Sequence, residues 1–201
     1  SSHNLAAEKQ FRFPIEYGAL RKKINSFTST GSVSALITNT KSNIKITSAT
    51  FGKVIDLEYT DTNNFGAIMS PAAAEVIVDH LKNTKTSLKD YDLILTGDLG
   101  AVGSDLLIQL LNMDKINIAK VHNDCGKMIF DPETQDVHAG GSGCGCSASV
   151  LCSYILKQIQ SGTLKEVLFI ATGALMSPTS MQQGESIPAI AHLVHISNTK
   201  W

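Results

Sequence analysis

The chain is poor in the features that would assign it quickly. No run approaches the roughly eighteen apolar residues a membrane-crossing helix needs, and the first residues lack the make-up of a secretory signal. Excess charge is missing too: 17 Lys and Arg stand against 18 Asp and Glu, for a formal net charge of −1. With no basic stripe to release phosphate counterions, nucleic acid is excluded as the main partner, and Arg21-Lys22-Lys23 reads as a solvated loop. Cysteine is scarce, at four residues in 201. That is no disulfide framework; Cys144, Cys146 and Cys152 around one helix start read as reduced thiols, with Cys125 as the fourth. An initiator Met and an opening strand are also lacking, so the first ten residues read as the middle of a domain, as in a processed or split protein.

What is present is 43% apolar and 17% charged, enough for one large core or two small ones. Residues 1–30 are polar and loop-like, anchored by Phe11, Phe13, Tyr17 and Phe27. Val33–Thr38 is a short strand candidate; Ile44–Phe51 alternates and continues past Gly52 to Ile55 as a bulged strand. Ser70-Pro71 has the form of a helix start, followed by Ala73, Val76, Ile77, His80 and Leu81 on one face. Leu93–Thr96 is a buried strand, and a helix carrying Leu106, Leu107, Leu110 and Leu111 follows. Lys127–Phe130 is another short strand candidate. A helix from about Cys146 to Gln160 precedes the central strand Glu166–Thr172, a long loop through Gln182-Gln-Gly184, and a last strand with His192 and His195 on opposite faces. Strand–helix alternation predicts an α/β fold with a mixed sheet and helices on both faces.

The densest signal is His138-Ala-Gly-Gly-Ser-Gly-Cys-Gly-Cys-Ser147, where glycines run into a helical pattern. The corner fails both nucleotide templates. Gly145 is followed by Cys146 rather than Lys, and the spacing from Gly141 and Gly143 puts Cys146 where a third glycine belongs. Three readings stay open: close packing of a helix start, a pocket for a small anion, or a reactive cysteine at a helix N-terminus. Zinc is disfavoured, because His122-x-x-Cys125 and Cys144-x-Cys146 lack paired-knuckle spacing. Asp98, in the loop after Leu93–Thr96, stands where open α/β sheets place ligands. Cys152 reads as core and His80 as a structural histidine.

In order along the chain, Ser1-Ser-His3-Asn, Met69-Ser-Pro-Ala-Ala-Ala74, Tyr91-Asp-Leu-Ile-Leu-Thr-Gly-Asp-Leu-Gly100, Asp124-Cys-Gly126, Ala139–Ala148 and Ala171-Thr-Gly-Ala-Leu-Met-Ser-Pro178 resemble the stage V sporulation protein AD family, of the thiolase-like superfamily. The resemblance runs end to end. It implies the C-terminal half (41–201) of a two-half, five-layered fold, plus the tail of the N-terminal half (1–40). It also implies that the superfamily's usual nucleophilic Cys lies outside this chain. Where condensing enzymes keep a catalytic His, Gly97-Asp98 offers none, and the second catalytic position reads Ser142-Gly-Cys-Gly-Cys146. Both departures argue against acyl transfer.

Such sporulation proteins imply binding of dipicolinic acid, a planar dianion, beside membrane-embedded partners at the cytoplasmic side of the forespore membrane. The candidate ligand-binding set is His3, Asp98, Ser142, Gly143, Cys144, Gly145 and Cys146, with no catalytic residue, cofactor or metal expected. No aromatic or Arg clamp for the pyridine ring is identifiable near the corner. Two alternatives are an acyltransferase half whose nucleophile sits on a separate chain and a scaffold docking membrane proteins. Val150, Leu151, Ile155, Leu156 and Ile159 on the helix after the corner predict an apolar face, hence self-association or pairing with an N-terminal half.

Overall fold

A computed structural model describes Ser2–His3 and residues 22–198. Phe11, Phe13 and Tyr17 lie outside the described residues, as does Arg21 of the basic triplet. The centre is a five-stranded mixed sheet in the order β4 (Ile44–Thr50), β9 (Ala189–Asn198), β8 (Glu166–Ala174), β5 (Leu93–Thr96), β6 (His122–Asp124). Strands β8, β5 and β6 are parallel, while β9 runs antiparallel to both β8 and β4. The mixed sheet predicted from strand–helix alternation is present, with β8 in its middle.

Side chains on a strand alternate between faces, and each face has its own core. On one, α1 (Phe65–Thr84) and α2 (Gly100–Met113) press Ala73, Ile77, Leu107 and Leu111 onto Ile94, Leu168, Ile170 and Leu193. On the other lies a helical run: α4 (Cys144–Val150), a π-turn (Leu151–Ile155) and α5 (Leu156–Ser161). It packs Cys146, Val150, Ile155 and Ile159 on Leu95, Val167 and Ile196. The run ends at Gly162, whose left-handed conformation (φ 81°) closes the last turn.

Two short ribbons flank the helical run. β2 (Phe27–Thr28) pairs in parallel with β7 (Gly141–Ser142), and β1 (Ser2–His3) pairs antiparallel with β3 (Gly31–Ser32). Residues 22–32, within the stretch read as an N-terminal tail, thus rest on the glycine corner, and residues 33–43 lead from there to β4.

The structure departs from the sequence reading in five places. Val33–Thr38 forms no strand: Leu36 and Ile37 are 90% and 78% exposed, and β propensity expresses packing on a half-buried surface, which these side chains do not have. The bulge in β4 falls between Ile46 and Ser48 rather than at Gly52, and beyond Thr50 only Ile55 bridges β9, at Ala189. Helix α1 starts six residues before Pro71, because Asn64 Oδ1 accepts from the Ala67 amide and caps it there. Lys127 and Met128 lie in α3 (Cys125–Met128), capped by Asp124, so the strand sits before them in His122–Asp124. The loop after β8 holds a short helix, α6 (Pro178–Gln182), capped by Ser177.

Fully buried Ser70, read as an N-cap, is instead a staple between helices, its hydroxyl directed to the carbonyls of Gly66 and, at 2.8 Å, Gly103. Ser70→Ala should cost about 1–2 kcal/mol, read as a lower urea midpoint with an unchanged slope.

Candidate functional site: the cleft at the glycine corner

The parallel strands end on the same edge of the sheet, and two aspartates gather the loops there. Asp124, at the end of β6, is fully buried. Its Oδ2 accepts from Thr96 Oγ1 (2.6 Å) and the Leu99 amide (2.9 Å); its Oδ1 accepts from the Gly100 and Gly126 amides, both at 2.9 Å. One carboxylate therefore holds the starts of α2 and α3 against the end of β5. Burial pushes its carboxyl up from 3.8 to about 6; the neighbouring charge of Asp98 adds to the rise, and the hydrogen bonds from Thr96, Leu99 and Gly100 oppose it.

Asp98 does the same for the glycine corner. Its Oδ2 accepts from the Gly143 amide (2.7 Å) and Ser142 Oγ (3.1 Å), and its Oδ1 from Thr172 Oγ1 (2.8 Å). Thr172 Oγ1 in turn accepts from the Asp98 amide at 3.2 Å. Gly143 caps α4 at φ 100°, a left-handed value that glycine adopts without a Cβ penalty. Gly145 serves closeness: a Cβ there would lie 2.9 Å from the Ser29 carbonyl oxygen and 3.2 Å from the Gly31 amide.

Beside this corner opens a cleft of about 730 Å³. Of the sequence-predicted ligand residues, Asp98, Ser142, Gly143 and Cys144 line it. Gly145 faces β3 instead, and Cys146 is buried against the sheet beneath. His3 lies in β1, paired with Gly31. The structure also brings in residues that sequence reasoning missed: Phe65 and Met69 from the start of α1, Phe169 and Thr172 from β8, and Met176 beyond it. The absence of an aromatic group near the corner is thus corrected by Phe65 and Phe169. Phe65 lies some eighty residues from the corner in sequence, so no local pattern could show it, although alternation in β8 already puts Phe169 opposite Leu168 and Ile170.

Cys152, expected in the core, lines the cleft. The sheet-facing residues Cys146, Val150, Ile155 and Ile159 are spaced four, five and four apart, and the five is the π-turn. Ser147, Ala148, Leu151 and Cys152 recur at the spacing of one helix face and line the cleft, and the wide turn returns Ile155 to the sheet.

The described histidines are engaged elsewhere. His122 sits between the Ile94 carbonyl and Ser104 Oγ, its pKa lowered to about 4 chiefly by burial. His80 links Thr50 to Tyr91 and His195 links Thr47 to Glu166, at the opposite end of β8 from the cleft. His138 contacts the Lys22 carbonyl, and His192 Nδ1 accepts from the Gly52 amide. Burial raises the Cys125 thiol far above its ordinary value, which marks it as packing. Among the described residues no group of three His, Cys, Asp or Glu side chains could hold a metal ion.

Both aspartates have measurable consequences. Between pH 3.8 and about 6 folded Asp124 keeps a proton that the unfolded chain has released, so its contribution to stability is full below that window and is lost as pH rises through it. The loss amounts to about 3 kcal/mol, since each tenfold change in proton affinity is worth about 1.4 kcal/mol. Urea midpoints at several pH values should show this slope in the parent protein and lack it in Asp124→Asn, which is also less stable throughout because one amide oxygen faces four donors. Asp98→Ala should free the Gly143 amide and speed its hydrogen exchange by roughly tenfold or more, leaving amides in β5 unchanged.

The family model for Stage V sporulation protein AD (SpoVAD) matches residues 1–197. A curated relative, Stage V sporulation protein AD of Bacillus subtilis (strain 168), is 50% identical over 192 residues, 96% of this chain and 56% of that protein. The chain thus spans just over half the length of the relative it matches. Solved structures with partial likeness include human mitochondrial 3-ketoacyl-CoA thiolase (16% identity, TM-score 0.40, covering 76% of this chain and 30% of that one). The same enzyme in complex with CoA gives 19% identity and a TM-score of 0.39 over the same shares. On the match over residues 1–197 and the 50% identity, the chain belongs to the stage V sporulation protein AD family of sporulation proteins.

Proposed function

We propose that this sporulation protein binds dipicolinic acid in the cleft at the glycine corner and performs no covalent catalysis there. The observation that carries the reading is the lining of the cleft. It offers hydroxyls, thiols and the first turn of a helical run, yet among the described residues no His, Lys, Arg or Glu lines it. A thiol nucleophile for acyl transfer needs a base to activate it and another group to orient that base. Asp98, the one charged lining residue among those described, is turned to Ser142, Gly143 and Thr172 rather than to an imidazole. Carboxylates of a small dianion suit Ser147 and the positive end of the helical run that starts at Cys144.

The protein would hold the dianion within an uptake complex, peripheral to the forespore membrane and docked on membrane-embedded partners. No helix among the described residues is long and apolar enough to cross a membrane itself. Of the expected apolar face, Val150, Ile155 and Ile159 are buried on this chain's own sheet, and the exposed side chains are others: Tyr154 on the helical run at 53% and Phe51 beyond β4 at 86%. These side chains favour pairing, with an N-terminal thiolase-like half or with a second copy.

Calorimetry on the native protein should give saturable heat with dipicolinate and none with acyl-CoA. Thioester formation on Cys144 or Cys152 after acyl-CoA treatment, seen by mass spectrometry, would refute the binding-only reading and favour the acyltransferase. Light scattering of this chain alone should show self-association, and a monomer at high concentration would refute the pairing.

A further inference from the structure

Carboxylates fix the strand-end edge of the sheet; histidines gather at the other end, away from the cleft. Strand β4 is the outer strand, and none of its seven residues is buried. Among the described residues it pairs along its length with β9 alone. Two side-chain hydrogen bonds add to that ladder, and a histidine takes part in each. Thr50 Oγ1 lies 2.8 Å from His80 Nδ1 of α1, and Thr47 Oγ1 lies 2.9 Å from His195 Nδ1 of β9. Three residues apart on a regular strand, the two threonines would face opposite ways. The bulge between Ile46 and Ser48 takes up the extra residue and turns both to the histidine side.

The two imidazoles differ in what can balance a proton. His195 Nε2 is 2.6 Å from Glu166 Oε2 of β8, so a charge there has a carboxylate beside it. His80 is fully buried, and both of its ring nitrogens meet hydroxyls, the second being that of Tyr91 at 3.2 Å. The His80 and His195 ring centroids are 6.4 Å apart, and that of Tyr91 lies 5.1 Å from His195. The titratable and charged groups facing His80 are thus Tyr91, His195 and, behind His195, Glu166. Strand β4 offers hydroxyls, and Asp79 on α1 is turned to Lys53 at 3.4 Å. Burial, and next the charge of His195, lower the His80 pKa from its ordinary 6.5. A group kept neutral by the fold below its ordinary pKa favours, as pH falls below 6.5, any arrangement that brings it to water.

We infer that His80 and His195 form an acid-sensitive latch on β4: a proton on His80 parts the edge strand from α1 and loosens the two segments that β4 joins. Both segments reach the cleft, through Val33 and Ala35 before β4 and through Phe65 where the chain after it enters α1. Strand β4 is the element that yields, because it has one neighbour and no buried side chain, whereas α1 and β9 carry core residues. The sense is opposite to that of Asp124, whose proton stabilises the strand-end edge. The latch does not depend on what the cleft binds.

The test is amide hydrogen exchange on the native protein, corrected for the intrinsic effect of pH. From about pH 7.5 to about pH 5.5, protection of the β4 amides bonded to β9 should fall about 5- to 10-fold, as the charged form of a freed imidazole comes to dominate. The Ile55 amide, bonded to the Ala189 carbonyl at 2.8 Å, should follow β4, while β5 amides hold. His80→Asn keeps a polar group in reach of Thr50 and cannot titrate, so its β4 should ignore the same change of pH. A measurement that needs no substitution is the His80 ring resonance of the parent, which should stay mostly neutral at about pH 5.5. The latch is overturned if β4 protection in the parent does not fall, or falls equally in His80→Asn. It is also overturned if the His80 ring becomes mostly protonated while β4 keeps its protection.

Discussion

The strand-end edge of this protein, where the cleft opens, depends on one buried carboxylate. Asp124 takes hydrogen bonds from Thr96, Leu99, Gly100 and Gly126, so the end of β5 and the starts of α2 and α3 converge on a single side chain. Burying an ion is expensive unless its hydrogen bonds are satisfied, and here four donors meet it. Asp98, one loop away, depends on that frame. The loop holding it is fixed by the Leu99 and Gly100 amides on Asp124, and Asp98 in turn fixes Gly143 and Thr172. The glycine corner is thus held by a relay of two aspartates from β6 through β5 to β8. Asp98 therefore has a structural task at the edge of the cleft.

The corner itself bears out the close-packing reading of its sequence and also forms one wall of the cleft. Gly145 serves close packing against the backbone of Ser29 and Gly31. Gly143, Cys144 and Ser147 face the cleft. Two residues apart on one helix start, Cys146 supports the core and Cys144 meets solvent. Packing and a cleft wall therefore coexist, divided by the direction in which each side chain leaves the helix.

Much of the fold was legible in the sequence. Leu93–Thr96 and the strand around Glu166–Thr172 are continuous apolar runs, as strands covered on both faces must be, and both are in the sheet. His80 was readable as structural from its place beside Val76 and Ile77, and it is fully buried. Failures came where distant partners decide. Val33–Thr38 has strand propensity but forms no strand, and Pro71 sits inside a helix whose cap is Asn64. In the site, Asp98 and the glycine corner were readable from loop position and composition. Phe65 and Phe169 were not, because tertiary packing brings α1 and β8 to the corner. Cys152 was misread because it was placed by its apolar neighbours Val150, Leu151 and Ile155, whereas the helical period aligns it with Ser147, Ala148 and Leu151 on the cleft side.

The chain is an α/β protein of the stage V sporulation protein AD family, and its proposed binding site is the cleft at the strand-end edge, where Asp98 and Asp124 anchor the loops. The most direct test of this claim uses the methionines as reporters. Met69 and Met176 line the cleft, whereas Met113 lies at the far end of α2 and is 80% exposed. Titrating native protein carrying 13C-methyl methionine with dipicolinate should shift the Met69 and Met176 resonances saturably and leave Met113 in place. Saturable binding that leaves Met69 and Met176 unmoved would contradict the assignment of the cleft as the binding site.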